Sequence, residues 1–251
     1  MKAVVAAIAL IGACIAVGLS LLGTAPPEVT LGSYSTPLEG RVKGQRLNAD
    51  LSLTKLDGVA IAPGAEFSFN KTVGTWSRDE GYRKAPVSFN GQLIWTWGGG
   101  VCQTSSTLYN AALLSGMVIT ERHRHRFAPG YVPPGRDAAV AYSNIDLRFK
   151  NPYPWPVRIV ARVVDDRVLC EIVGKKLPNE SVAITQIIES AREPRTLSSS
   201  TPGKSARVMN PGKVGWSVTT FRVFRSPSGE RRELLSSDVY PPMNRVVRTG
   251  S

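Results

Sequence analysis

Cysteine and histidine are scarce in this chain: 251 residues hold three cysteines and two histidines. The three thiols, Cys14, Cys102 and Cys170, stand in three unrelated settings. Neither a disulfide framework nor the paired spacing of a zinc site can be built from them. Charge of one sign never gathers into a tract, although the net charge is +12. That excludes a nucleic-acid-binding arm and leaves a diffuse basic surface suited to anionic polymers or membranes in general. Beyond Leu177 there is no cysteine and no histidine, only scattered acids, and no chemistry can be read there.

Long apolar runs are also rare, and the one present opens the chain. Ala3 to Leu22 carries no charge and follows Lys2, long enough to cross a bilayer as a helix. A positive residue before it and none after it until Arg41 put the N-terminus in the cytoplasm and the remainder outside. A cleaved signal peptide is one rival, disfavoured by Pro26 and Pro27. A lipoprotein signal at Ile11-Gly-Ala-Cys14 is another, disfavoured by the eight apolar residues that continue past Cys14. Four segments are therefore expected: an anchor or signal over 1–23, a linker over 24–40 rich in Pro, Gly, Ser and Thr, a main domain over 41–176, and a small β-rich module over 177–251.

The main domain turns on Gly98 to Leu113, GGGVCQTSSTLYNAAL. Three glycines permit close backbone approach, and Thr104 to Ser115 has helix length with Gly116 as its stop. The helix lacks a polar face and reads as buried. Cys102 falls at or just before its N-terminus, where unpaired N–H groups and the macrodipole favour a thiolate. The plainer reading is a small buried hydrophobe, which is also the simplest reading of Cys170, on one face of a hairpin around Asp165-Asp166 with Val168 and Ile172. Strands are expected at Phe67 and Phe69, at Ala85 to Ile94 with an Asn-Gly turn at 90–91, at Val118 to Phe127, and at Ala138 to Lys150. The fold class is α+β: a mixed, mostly antiparallel sheet packed on the buried helix that starts at Cys102, followed by the β-rich appendage. Trp95 and Trp97, just before the glycines, are candidates for a substrate groove, although core packing is the commoner task of tryptophan.

Alternation over Val118 to Phe127 puts His123 and His125 on one face and Arg122, Arg124 and Arg126 on the other. A helix of twelve residues carries the chain ~18 Å from Cys102, and a returning strand recovers this in five or six residues at ~3.3 Å each. The histidines therefore come back level with the thiol. If 118–127 pairs with 138–150, Asp137 lies at the loop end beside His125, whereas Asp146 falls ~20 Å further along. Asp137 is thus the better orienting carboxylate and Asp146 the alternate. A nucleophilic Cys, a His and an Asp in this order have the logic of papain- or transglutaminase-like acyl transfer. A metal site of Cys102, His123 and His125 is the competing use of the same atoms, and a purely structural or binding role is the third reading.

Taken together, Pro-Gly-Ala-Glu-Phe-Ser-Phe-Asn (63–70), Val-Gly-Thr (73–75), Gly81-Tyr82, the Cys102 stretch, Glu-Arg-His-Arg-His (121–125), Tyr-Val-Pro-Pro-Gly-Arg-Asp-Ala (131–138) and Asp146-Leu147 resemble the VanW family of bacterial cell-surface proteins. The resemblance spans about residues 41–175. The tail is similar to a glycine-containing extracellular β-module that often follows such domains. The family name, taken from an accessory protein of glycopeptide-resistance clusters, gives no activity by itself. What the resemblance implies is a cysteine L,D-transpeptidase that makes 3–3 cross-links between peptidoglycan stem peptides. Cys102 would be the nucleophile, His125 the base and then the acid, His123 a position that varies, and Asp137 or Asp146 the orienting group. Backbone N–H groups around Gly100, Cys102 and Gln103 would form an oxyanion hole. Arg126, where the family more usually has serine, would meet a stem carboxylate or solvent. No cofactor or metal and no nucleic acid is implied; stem peptides and, through the N-terminal segment, the membrane are the expected partners. A non-catalytic wall-binding protein and a wall amidase or endopeptidase are the alternatives.

Overall fold

The computed structural model describes residues 28–89, 92–142, 144–175, 180–200, 205 and 207–249. The expected membrane segment, its rivals, the turn at 90–91 and the boundary near 176 lie outside the described residues. No helix among the described residues is long and apolar enough to cross a membrane.

The fold is α+β, with mostly antiparallel strands. Its main sheet has four strands in the order β1-β9-β8-β2, formed by β1 (Val29–Pro37), β2 (Ala60–Ile61), β8 (Val157–Val164) and β9 (Arg167–Gly174). The β8–β9 hairpin turns at Asp165 and Asp166, both at positive φ, as a two-residue primed turn demands. Alternation along these strands sends Ile159, Ala161, Val168, Cys170 and Ile172 into the core. β1 corrects the expected linker. Its own residues carry little β signal, but it pairs with β9 from Val29↔Gly174 to Pro37↔Arg167, and that long-range ladder decides its conformation.

Three helices are described: α1 (Lys43–Leu56), α2 (Phe69–Val73) and α3 (Val101–Leu114). α3 lies against β1 and β9 with α1 beside it. The fit with β1 is close: a Cβ at Gly32 would fall 2.4 Å from Ser115 N. α3 starts three residues earlier than the pattern suggested, and twelve of its fourteen residues are buried. A second sheet of β3 (Glu66–Ser68), β7 (Arg148–Lys150) and β6 (Val118–Glu121) closes one side, and the hairpin β4 (Lys84–Phe89)–β5 (Gln92–Trp97) stands apart. The two strands expected at 118–127 and 138–150 are much shorter than their patterns. β6 ends at Glu121, where its register with β7 shifts, and only the bridge His123↔Ala139 continues the pairing.

The tail forms two three-stranded sheets. One orders β10 (Ser181–Arg192), β13 (Gly215–Ser226) and β14 (Gly229–Tyr240); the other orders β11 (Thr196–Ser200), β15 (Arg245–Thr249) and β12 (Arg207–Asn210). This tail is docked rather than appended. Arg222, 3% exposed, donates from Nη1 to Met117 O at 2.6 Å and Leu113 O at 3.4 Å. A guanidinium there satisfies carbonyls at the negative end of the α3 dipole.

Candidate active site

The site grows from the start of α3. Gly100 is its N-cap at φ 113°, a left-handed position open to glycine. A Cβ at Gly100 would also lie 2.3 Å from Gln45 O, so α1 abuts the turn and fixes it. Cys102 follows as the second helical residue. The hydroxyl and amide residues after it replace a polar face with a polar seam. Ser105 Oγ donates to Ala138 O at 2.7 Å, Ser106 Oγ accepts from Ala138 N at 3.0 Å, and Asn110 Nδ2 donates to Arg136 O at 2.8 Å. Those bonds hold the chain on both sides of Asp137 against the helix. Gln103 is buried, its Nε2 donating to Thr36 Oγ1 at 3.0 Å and Pro37 O at 2.8 Å.

Cys102, His125 and Asp137 come together, with His125 between the other two. The Cys102 thiol lies beside the His125 ring, close enough for each to shift the other's titration, and donates to Val140 O at 3.5 Å. His125 Nδ1 meets Asp137 Oδ2 at 2.6 Å, and its backbone N–H donates to the same oxygen at 2.6 Å. With Nδ1 occupied, Nε2 is the ring nitrogen left for the thiol. Asp137 is fully buried and has three further donors: Arg122 Nη2 at 3.0 Å to Oδ1, Arg122 Nε at 2.7 Å to its carbonyl, and the Tyr240 hydroxyl to Oδ1. Arg122 Nη1 continues to Asp238 Oδ2 at 2.7 Å. Tyr240 and Asp238 belong to the tail, so the tail buttresses the carboxylate.

These contacts set the charge states. Burial alone would raise the Cys102 thiol, but the His125 hydrogen bond and charge, with Val140 O, outweigh it and the net shift is downward. Burial pulls the imidazole down, yet Asp137 and Cys102 raise it to about 10. Asp137 is likewise pushed up by burial and drawn down to about 2, mainly by His125 and Arg122. These directions favour the thiolate–imidazolium form of the pair, backed by the Asp137 carboxylate. Each shift rests on an opposite charge or hydrogen bond that defeats desolvation.

The thiol and imidazole open into a cavity of about 360 Å³ walled by Trp76, Trp97, Val87, Phe127 and Tyr131, with Arg41 and Lys213 also on its lining. Size and largely apolar walls suit a small organic or peptide ligand.

Several expected residues lie elsewhere. His123 is turned out to Glu121 Oε1 at 2.9 Å, because the strand that would have aligned it with His125 ends at Glu121. The alternative metal set is therefore not assembled, and no group of three His, Cys, Asp or Glu residues could hold a metal among the described residues. Asp146 accepts from Ser68 Oγ at 2.6 Å and Asn70 N at 2.9 Å, tying the second sheet to α2. Trp95 is 66% exposed and is not among the residues that line the cavity, whereas Trp97 is. Arg126 stacks on Phe127 at 5.6 Å and is not among the lining residues. Gln103 N–H is bonded to Gly100 O at 3.0 Å, which removes it as an oxyanion donor; Cys102 N–H, beside the thiol, has no backbone acceptor among the described residues. Arg122, Tyr131, Tyr240 and Asp238 were not anticipated. The alternation of the sequence puts Arg122 on the face opposite His125, whereas the structure brings both to Asp137.

A buried helix presenting a thiol to an imidazole and a carboxylate defines the cysteine–histidine–aspartate class of site on an α+β scaffold. The family model described as VanW like protein matches residues 44–173, and the chain belongs to that family. It is 42% identical over 132 residues to the uncharacterized protein YoaR of Bacillus subtilis, a match covering 53% of this chain and 44% of that one. It is 29% identical over 136 residues to the vancomycin B-type resistance protein VanW of Enterococcus faecalis, covering 52% and 50% respectively. The match thus spans about half the length of these curated relatives. Among solved structures, a G5 domain of an IgA1 protease aligns with 30% of this chain and 94% of its own at 22% identity and a TM-score of 0.20. The HP0197 G5 domain aligns with 29% and 100% at 17% identity and a TM-score of 0.17.

Proposed function

We propose that this VanW-family protein is a cell-wall-associated cysteine acyl-transferase acting on peptidoglycan stem peptides, as an L,D-transpeptidase held outside the membrane by residues 3–22. The observation that carries the reading is the Cys102 thiol beside a His125 ring that is hydrogen-bonded to buried Asp137, with thiol and ring opening on one cavity. The Cys102 thiolate attacks a peptide carbonyl carbon, forming the C–S bond while Cys102 N–H stabilises the oxyanion. Collapse breaks the C–N bond, and the His125 imidazolium gives its proton to the departing amine of the terminal D-alanine. A side-chain amine of a second stem then attacks the thioester, loses its proton to His125 and expels the thiolate. Asp137 holds the ring tautomer and offsets the imidazolium charge throughout.

The test is muropeptide analysis of cells producing the wild type or Cys102→Ala, together with intact-mass detection of an acyl-protein on the isolated chain. Expected are 3–3 dimers that disappear with the substitution and an adduct dependent on Cys102. Dimer levels indifferent to Cys102 would sink the transfer reading, and loss of stem peptides without dimers would turn it into hydrolysis.

A further inference from the structure

Arg41 and Lys213 come from opposite ends of the chain, one just before α1 and the other from the tail, and meet on the lining of the Cys102 cavity. Their arrangement is unusual for structural cations. Arg41 Nε is buried with no hydrogen-bond partner, and its guanidinium lies 5.1 Å from the centre of the Tyr131 ring. No carboxylate pairs with either side chain among the described residues. Lys213 Nζ reaches one carbonyl, Ala128 O, at 3.5 Å. Burial lowers the pKa of both groups, and Arg41 depresses Lys213 further, so the two charges face each other uncompensated. Other enclosed arginines have a partner for the guanidinium: Arg122 pairs with Asp137 and Asp238, Arg222 with Glu233, and Arg136 Nε donates to Asn110 Oδ1 at 2.6 Å. Arg41 is partly buried and Lys213 reaches solvent, and two like charges on one cavity lining with no carboxylate partner favour an anion between them. Tyr131 ties this pair to the chemistry: its hydroxyl donates to Cys102 O at 3.1 Å.

We infer that Arg41 and Lys213 form an anion subsite of the Cys102 cavity that takes a free carboxylate of the peptide presented to the thiol. The planar guanidinium supplies paired donors to carboxylate oxygens, the ammonium closes over them from the tail, and Trp76 and Trp97 cover the apolar part of the ligand. The inference rests on the acyl-transfer reading for the ligand's being a peptide, and it makes the tail part of ligand recognition.

The test uses the full chain carrying Cys102→Ala, so that nothing turns over, titrated calorimetrically with N-acetyl-L-lysyl-D-alanine and with its C-terminal amide. The acid is expected to bind at least about tenfold more tightly than the amide. Arg41→Gln and Lys213→Met are each expected to erase most of that ratio, Arg41→Lys to keep part of it. The thermal midpoint of Arg41→Gln without ligand should hold or rise, since an unpaired charge is removed, whereas a structural arginine would lower it. Equal binding of acid and amide, no binding of either, or a ratio indifferent to the substitutions overturns the subsite. Iodoacetamide labelling of the chain with native Cys102 separates the two proposals. A reactive thiol without acid preference leaves the nucleophile standing and removes the subsite; acid preference with an inert thiol does the reverse.

Discussion

Cys102 and Cys170 sit in the same core cluster and differ in almost everything that governs a thiol. Cys170 points from β9 into that apolar cluster, opposite Ala161 of β8, and burial, with the nearby Glu171 charge, pushes its pKa far up. Cys102 is also largely enclosed, yet its net shift is downward because His125 and Val140 O act on it. Burial alone therefore does not decide whether a cysteine is inert. What decides is whether desolvation is opposed by a charge held in place, and here the charge is held by a carboxylate that the α3 seam and the tail fix from two sides.

The sharpest way to break this contrast is alkylation. Iodoacetamide at pH 6 is expected to modify Cys102 in the folded protein and to leave Cys170 untouched until denaturant is added, as peptide mapping would show. Removing the opposing charge with His125→Gln leaves Val140 O alone against desolvation and the Asp137 charge at Cys102. Its labelling rate at pH 6 should then fall on the order of a hundredfold, with the alkaline limb moved to higher pH. Unchanged labelling in that variant would mean that the thiolate does not depend on the imidazole.

A somewhat smaller effect separates the two carboxylates. Asp137→Asn leaves Arg122 and the imidazolium without their shared counter-charge, and a loss of roughly 3–5 kcal/mol of stability is expected from breaking a buried charge network on one side. The pH dependence has a definite sign. His125, raised to about 10, contributes fully below its ordinary value of 6.5, and this is lost as pH rises through about 10. Asp137, lowered to about 2, contributes fully above its ordinary 3.8, and this is lost as pH falls through about 2. Thermal unfolding of the wild type should thus be best supported between these ordinary values, and Asp137→Asn should flatten both limbs. Asp146→Asn, at the other sheet, should leave Cys102 labelling unaltered. If it slows labelling as Asp137→Asn does, the two acids are not distinct in the way their contacts indicate.

How much of this was legible in the sequence depends on range. The buried helix and the cap at Gly100 are local matters of glycines followed by a run without a polar face, and the return of His125 toward Cys102 follows from rise per residue in a helix and a strand. Arg122 was misread because alternation was extended past Glu121, where the register shift ends the strand and a guanidinium turns inward to Asp137 and Asp238. β1 was misread as linker because its ladder partner lies about 140 residues away on β9. Tyr240, Asp238 and Lys213 carry no local pattern at all; their roles come from the docking of the tail, which the absence of histidine and cysteine beyond 177 had made look chemically empty. Trp95 and Trp97 show the limit of residue type alone: two positions apart on β5 they share a face of the strand, yet of the two only Trp97 lines the cavity.

The smallest expected effect is the one that tests whether the tail belongs to the site or only lies against it. The Tyr240 hydroxyl accepts from Gly135 N at 3.0 Å and donates to Asp137 Oδ1; its own pKa is pushed well up by burial and by Asp137, so it remains a donor. Tyr240→Phe keeps the ring and its packing while deleting one of the donors to Asp137, a change worth about 1–2 kcal/mol. With one donor fewer, the Asp137 carboxylate is a stronger base toward His125, while its position, no longer fixed from the tail side, is looser. The acid limb of Cys102 labelling should shift along the pH axis by a fraction of a unit to one unit, whereas a tail that merely docks would give lower thermal stability with an unmoved labelling profile. Measuring both on the same variant decides between a tail that tunes the thiol and one that is a neighbour.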